Sequence, residues 1–320
     1  MSISPGATAD PFPGTASDVT DDFVLEKCDY FTTVQLWPLR REINPRLWLN
    51  NFKDHERIHA RYLLNSFLFL SSQLTEHIFV DNFEALSQRV ALPYDGEPDG
   101  ANRWAQFASN IRVVIVRGED TRPTDSGYIF SRIARDALNI PEDHILDVPE
   151  ALEALHQGLE APLVFVDDFV GSGDQFSDTW SRPWSLNGRS LSFERLSKKR
   201  KGPYIYCPIL ATETGTATIR AAHPEVIVQP GHELPPKYSV FHPESLVWPD
   251  ELRASATDFI REASLRAGIR DTDGGPDDWR GYHELGLTVA FAHSVPDATI
   301  PLFWWESETW IPLKKRHREP

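Results

Sequence analysis

The sequence predicts an α/β protein: a parallel sheet with helices on both faces, preceded by an N-terminal helical cap. Three observations carry this. From about residue 111 onward, short β-branched runs alternate with helical patterns, the order that buries a parallel sheet between layers of helices. Residues 46–90 instead repeat apolar side chains on steps of three and four, which is a helical stripe. One apolar run, Val164-Phe-Val-Asp167-Asp168-Phe-Val170-Gly171-Ser172-Gly173, passes through two acids into a glycine-rich turn. The chain's 320 residues allow one large domain or a domain with a cap.

Taken in order, residues 1–22 are rich in Pro, Gly, Ser, Thr and Asp and read as a disordered lead-in. The helical cap region follows over residues 23–110, and the α/β domain over 111–320. In the cap, Trp48, Phe52, Ala60, Leu63, Leu64, Phe67, Leu68 and Leu74 fall largely on one stripe. Prolines and glycines at 93–100 break the pattern. Strands are then expected at 111–116, 145–148, 163–166, 204–210 and 226–228. Helices are expected at 126–138, 149–158, 174–184 (cut short by Pro183), 214–222 and 250–267. Residues 287–292 and the Trp-rich stretch 302–310 close the chain, and no internal repeat is evident.

The formal net charge is −15, from 32 basic and 47 acidic residues. Net charge alone therefore does not draw the chain to nucleic acid or to an anionic membrane. Cys28 and Cys207 stand far apart without metal spacing, which suits a reducing cytosol. No N-terminal signal core is present, and no run approaches the ~18 apolar residues of a membrane helix. The expectation is a soluble cytoplasmic protein without a membrane partner.

The glycine-rich turn carries the chemistry. Gly171 and Gly173 let the backbone approach a phosphate closely. The helix expected to start near Asp174 directs N–H groups and the positive end of its dipole at an anion. Asp167 and Asp168 can accept hydrogen bonds from a sugar diol or hold a magnesium ion. In open α/β sheets such a site lies beyond the carboxyl ends of the strands.

This run resembles the nucleotide signature of type I phosphoribosyltransferases: apolar residues, Asp-Asp, two spacers, then a Thr/Gly, Thr/Ser, Gly turn. Asp167 and Asp168 match the acids, and Gly171, Ser172 and Gly173 match the turn. Gln175 stands where that family has Thr. The resemblance implies a phosphoribosyltransferase-like fold in which the acids meet the ribose hydroxyls of phosphoribosyl pyrophosphate. Residues Val170 to Gln175, Asp174 included, would cradle the 5′-phosphate, and Mg2+ held at Asp167 and Asp168 would bridge the pyrophosphate. Asp168 to Gln175 further resembles a divergent branch of phosphoribosyltransferase-like effectors from bacterial conflict systems. Trp48-Leu-Asn-Asn-Phe52 with Ala60 and Leu63-Leu64, Thr124-Asp-Ser-Gly127, and residues 291–305 fit the same branch, so the resemblance spans about residues 46–313. Some members of that branch are encoded beside retron reverse transcriptases. This implies an antiphage role, with phosphoribosyl pyrophosphate or a related nucleotide as ligand. It also implies a reverse transcriptase–DNA complex or another defence protein as partner. A non-catalytic module that senses a nucleotide or binds such a partner is the rival expectation.

Supporting segments are less specific. Arg117 and Gly118, directly after the first core strand, can supply charge and a tight turn to a pyrophosphate. Ser126 and Gly127, at the start of a helix, can add N–H donors. Glu213, within Thr212-Glu-Thr-Gly215, reads either as a wall of the acceptor pocket or as an acid in a capped first turn. Residues 198–201 and 314–318 read as solvated charge runs, and Trp304, Trp305 and Trp310 as packing. His55-Glu56-Arg57-Ile58-His59 matches a zinc-protease pattern, with Glu76 or His77 downstream as a possible third ligand. Arg57 would oppose a cationic metal, so the segment reads as the solvated side of an amphipathic helix.

Overall fold

The computed structural model describes residues 19–90, 99–116, 127–200 and 202–316. Its strands, numbered along the chain, are β1 Leu68–Leu70, β2 Arg112–Ile115, β3 Ile145–Leu146, β4 Leu163–Val170, β5 Trp184–Leu186, β6 Arg189–Leu191, β7 Tyr204–Thr212, β8 Val226–Val228, β9 His232–Leu234 and β10 Val289–Phe291. The chain divides into two compact units, Met1–Ser71 with Lys237–Pro320, and Ser72–Pro236. The sequence expectation put a boundary at residue 110. The units divide elsewhere because β1 lies inside the expected helical stripe and pairs in parallel with β10, near the other end of the chain. Tertiary pairing overrides the local helical pattern there.

In the first unit order begins earlier than a lead-in over 1–22 allows. Val19 is fully buried. The Thr20 hydroxyl accepts from the Phe23 N–H and caps the helix Asp21–Thr33. Asp21 bridges Arg57 and Arg61 at 2.9 and 2.5 Å. The core is aromatic: Trp48 stacks on Phe303 with ring centroids 5.2 Å apart, and Phe52 meets Trp310 edge-on at 5.0 Å. Trp310 donates to the Leu302 carbonyl, Trp304 to Thr299 and Trp305 to Ala267, so the three tryptophans are packing groups. Lys314 departs from its expected solvation. It is buried, donates to the Ala292 carbonyl at 3.1 Å and lies over the Phe69 ring.

The second unit is built on the sheet β3-β2-β4-β7-β8, all parallel, with β9 continuing along β7 beyond β8. The helices Gly127–Asp136, Val148–Gln157, Asp174–Ser181 and Glu213–Ala222 follow strands, as the alternating pattern predicts. Between β8 and β9 the Gln229 and Gly231 N–H groups still donate to the Tyr206 and Pro208 carbonyls of β7, but Pro208 has no N–H to return to the ladder. The buried Asn82 side chain fills the gap, donating to the carbonyls of Pro208 and Gln229. In chain order the strands run outward from β2 to β3, then cross to β4 and continue the other way. The order therefore reverses between β2 and β4, the place where open α/β sheets bind ligands at their carboxyl ends.

One face of β4 carries an aromatic cluster. Phe165 meets Phe176, Trp180 and Phe193 near right angles at 5.6, 5.8 and 5.0 Å. All four are essentially fully buried. Burial of such rings stabilises by roughly 1.5–3 kcal/mol each, so this cluster fixes the helix Asp174–Ser181 against the strand that precedes it.

Candidate functional site

The strand bearing the acids is longer than its sequence suggests. Apolar residues end at Val166, but the backbone of Asp167 to Val170 keeps pairing with β7, register Asp167 with Pro208 through Val170 with Ala211. On the other side, β2 follows β4 only as far as Ile115 opposite Val166, with one further bond from the Val116 N–H to the Val166 carbonyl. Both acids therefore lie in a strand, just past the end of β2, at the reversal point of the sheet.

Being in a strand gives the two acids different surroundings, although their side chains stay close enough to interact. Successive side chains alternate faces, so Asp167 shares the face of Phe165, and Asp168 takes the other. Asp167 is only 3% exposed. Its Oδ2 accepts from the Tyr206 hydroxyl at 2.9 Å, and its Oδ1 accepts from the Asp168 N–H at 2.9 Å. Burial, reinforced by the neighbouring Asp168 carboxylate, pushes the Asp167 carboxyl well above the usual carboxylate range, against the hydrogen bond from Tyr206. Asp168 is half-buried.

The turn that follows is held by a second turn from the next strand. Gly173 has φ +93°, a left-handed conformation that favours glycine, and leads into the helix Asp174–Ser181. A Cβ on Gly173 would lie 2.8 Å from the Gly215 carbonyl oxygen and 3.0 Å from Ile219 Cγ1. A Cβ on Gly215 would lie 2.3 Å from the Gly171 oxygen. Thr212 joins the two turns: its hydroxyl donates to the Gly171 carbonyl at 2.5 Å and accepts from the Gly215 N–H at 2.9 Å. The capped first turn offered for this stretch is present, with Thr212 as the N-cap and Glu213 in the first turn; the hold of Thr212 on the Gly171 turn and the role of Gly215 were missed. The available signal was a glycine in the first turn of a helix. Glycine weakens a helix there, so its presence points to a close approach.

At the helix start, Ser172 donates its hydroxyl to the Asp174 carboxylate at 2.9 Å. Ser172 is half-buried, and Asp174 and Gln175 are exposed. Val170 is buried in the core beneath the turn. Gly127 begins the helix Gly127–Asp136. Arg117, Gly118 and Ser126 lie outside the described residues.

A metal needs donors that are open to it. Both Asp167 oxygens are engaged inside the protein, which leaves Asp168 as the carboxylate of the pair nearest solvent. Among the described residues no group of three or more His, Cys, Asp or Glu side chains is arranged to hold a metal ion. The described residues thus do not form a resident magnesium cage.

The zinc-like motif is structural: Lys53, Asp54 and His55 are exposed, as expected of a solvated face, but Glu56 and His59 are buried. Asp54–Glu56 is a 3-10 turn and the α-helix starts at Arg57, so His55 and His59 do not share one regular helix. Glu56 is 4% exposed and receives two hydrogen bonds from Arg266, at 2.8 and 2.6 Å. His59 stacks on Phe259 with centroids 4.8 Å apart, and its Nε2 pairs with the Ser255 hydroxyl at 2.9 Å. Cys28 and Cys207 are free, and burial raises both thiols to about 12, which makes them inert packing groups. No helix among the described residues is long and apolar enough to cross a membrane.

A strand-borne acid pair and a Gly-Ser-Gly turn at the reversal point of a parallel sheet are what the phosphoribosyltransferase resemblance requires of the fold. The PRTase-CE family model matches residues 45–316, a span that takes in most of both units. No curated protein compared with the chain matches it. With most of its length accounted for by that match, the chain belongs to PRTase-CE, a phosphoribosyltransferase-like effector family.

Proposed function

We propose that the second unit binds phosphoribosyl pyrophosphate or a related nucleotide, and that the protein transfers a phosphoribosyl or related glycosyl group as an antiphage effector. One observation carries this reading. Asp168 and the Gly171–Gly173 turn share the carboxyl end of β4 at the point where the sheet order reverses. This supports reading Asp168 as a diol acceptor and the turn as a phosphate cradle, both within one short segment. In this reading Gly171, Ser172 and Gly173 hold the 5′-phosphate, with the first-turn N–H groups at Asp174 and Gln175. Asp168 accepts from the ribose hydroxyls. Asp168 would offer one carboxylate to a magnesium ion bound with the ligand's pyrophosphate, in keeping with the way magnesium binds through few carboxylates plus substrate phosphates. The protein's own contribution to displacement at the anomeric carbon is positioning and the binding of the departing charge. Arg117 and Gly118 are proposed for the pyrophosphate, and Ser126 and Gly127 as further donors.

The test is pyrophosphate release from phosphoribosyl pyrophosphate with magnesium and a panel of nucleobases and nucleotides. Release is expected from the wild type and at least tenfold slower release from Asp168→Asn, by loss of a charge-assisted contact worth about 1.5–3 kcal/mol. Wild-type binding without release across the panel overturns the enzyme reading.

A second reading, a nucleotide sensor paired with a reverse transcriptase–DNA complex or another defence protein, is favoured by the Asp174 carboxylate drawn onto Ser172. It predicts binding without turnover, and phage protection that Asp168→Asn abolishes in a plaque assay.

A further inference from the structure

We infer that Asp167 and Tyr206 form a buried pair that positions Asp168, so that Asp168 alone of the two acids meets the ribose diol. This deepens the proposed ligand reading and rests on it. The paired acids resemble two equivalent ligand groups, but the strand that carries them makes them unequal. Asp167 points into the layer that holds Phe165, and its two oxygens have protein donors, Tyr206 Oη on one and the Asp168 N–H on the other. The second of these bonds pins the peptide from which the Asp168 side chain springs. Tyr206 is itself tightly packed: it is 1% exposed and stacked on Phe176, with centroids 4.1 Å apart and ring planes 17° apart. Phe176 belongs to the helix that the phosphate turn opens into. One chain of contacts, Phe176 to Tyr206 to Asp167 to Asp168, thus ties the diol acceptor to the helix at the phosphate end.

The arrangement distinguishes three substitutions. In Asp167→Asn the shape is kept. The amide oxygen accepts from the Asp168 N–H, and the amide nitrogen donates to the Tyr206 hydroxyl, which can accept as well as donate. In Asp168→Asn the ligand loses its charged acceptor. In Tyr206→Phe the buried Asp167 carboxylate loses a donor and the pinned peptide loosens.

The experiment is calorimetric titration of the full-length protein and these variants with ribose 5-phosphate and with inorganic phosphate alone. Ribose 5-phosphate should bind to Asp167→Asn within about threefold of wild type. It should bind about tenfold to a hundredfold more weakly to Asp168→Asn, the loss of a charge-assisted contact. Tyr206→Phe should weaken it about three- to tenfold. Inorganic phosphate, which uses only the turn, should be unchanged within about twofold in all three. If Asp167→Asn loses as much as Asp168→Asn, the two acids are equivalent ligands and the inference falls. If Tyr206→Phe weakens both probes equally, Tyr206 is merely structural and the inference falls, while the ligand reading stands. If the wild type binds neither probe, the ligand reading itself fails and takes the inference with it.

Discussion

At the scale of single residues, Asp174 sets the electrostatic character of the Gly171–Gly173 turn, the proposed phosphate site. It is the first residue of the helix Asp174–Ser181, where a carboxylate favours the helix dipole. It also draws the Ser172 hydroxyl, at 2.9 Å, that an incoming phosphate would use. An internal anion thus already occupies part of the electrostatic opportunity that the turn offers a ligand. Asp174→Asn should tighten ribose 5-phosphate binding about threefold to tenfold, the equivalent of removing a like charge worth about 1 kcal/mol near the helix start. The same substitution should cost the free protein a few tenths of a kcal/mol to about 1 kcal/mol in thermal unfolding, because the helix loses its favourable charge. Affinity that stays equal or falls in the variant removes Asp174 as a competitor. Opposite signs in the two measurements are what separate electrostatic competition from general damage to the turn.

At the scale of elements, two turns from neighbouring strands make one device. Thr212 caps its own helix and holds Gly171, and Gly215 leaves room for the Gly171 carbonyl. Gly215→Ala would drive a methyl to 2.3 Å from that oxygen, and backbone at both sides gives no flexible end to yield. The β4 turn must then move away. Ribose 5-phosphate binding should fall at least tenfold, and unfolding should cost about 1–3 kcal/mol, the usual range for overpacking. A neutral Gly215→Ala would show that the turns are not coupled. This is also where sequence and structure part company. Strand, acids, Gly-Ser-Gly and helix are contiguous in the chain, so the local pattern revealed the fold class and the turn. Thr212, Gly215 and Tyr206 reach the site only through the pairing of β4 with β7, a contact that no local period encodes. The extension of β4 to Val170 has the same origin: acids end an apolar run, yet the backbone goes on pairing. The unequal burial of Asp167 and Asp168 follows from that extension and was equally invisible.

At the scale of the whole molecule, the first unit is assembled from both ends of the chain, and Ser72–Pro236 is a continuous stretch inserted between them. Each unit has its own core. One runs through Trp48, Phe303 and Trp310, and the other through Phe165, Trp180 and Tyr206. The pairing of β1 with β10, and the Trp48 indole donating to the Leu302 carbonyl at 2.7 Å, both join segments from opposite ends of the chain. The two ends of the first unit therefore need each other, since a three-residue strand and a few helices cannot bury enough apolar surface alone. Residues 72–236 expressed as a separate fragment should fold, keeping α/β circular dichroism and the inorganic phosphate affinity of the full chain. Residues 19–71 and 237–316 expressed separately should each lack a cooperative thermal transition, and mixing them should restore one, because the core they share forms only from both. A cooperative transition in the 237–316 fragment alone would show that the C-terminal segment is a domain in its own right. Loss of phosphate binding in a folded 72–236 fragment would show that the turn depends on residues outside its own unit. The fold then divides into a unit that one continuous stretch, Ser72–Pro236, builds by itself and a unit that forms only when two segments distant in sequence come together.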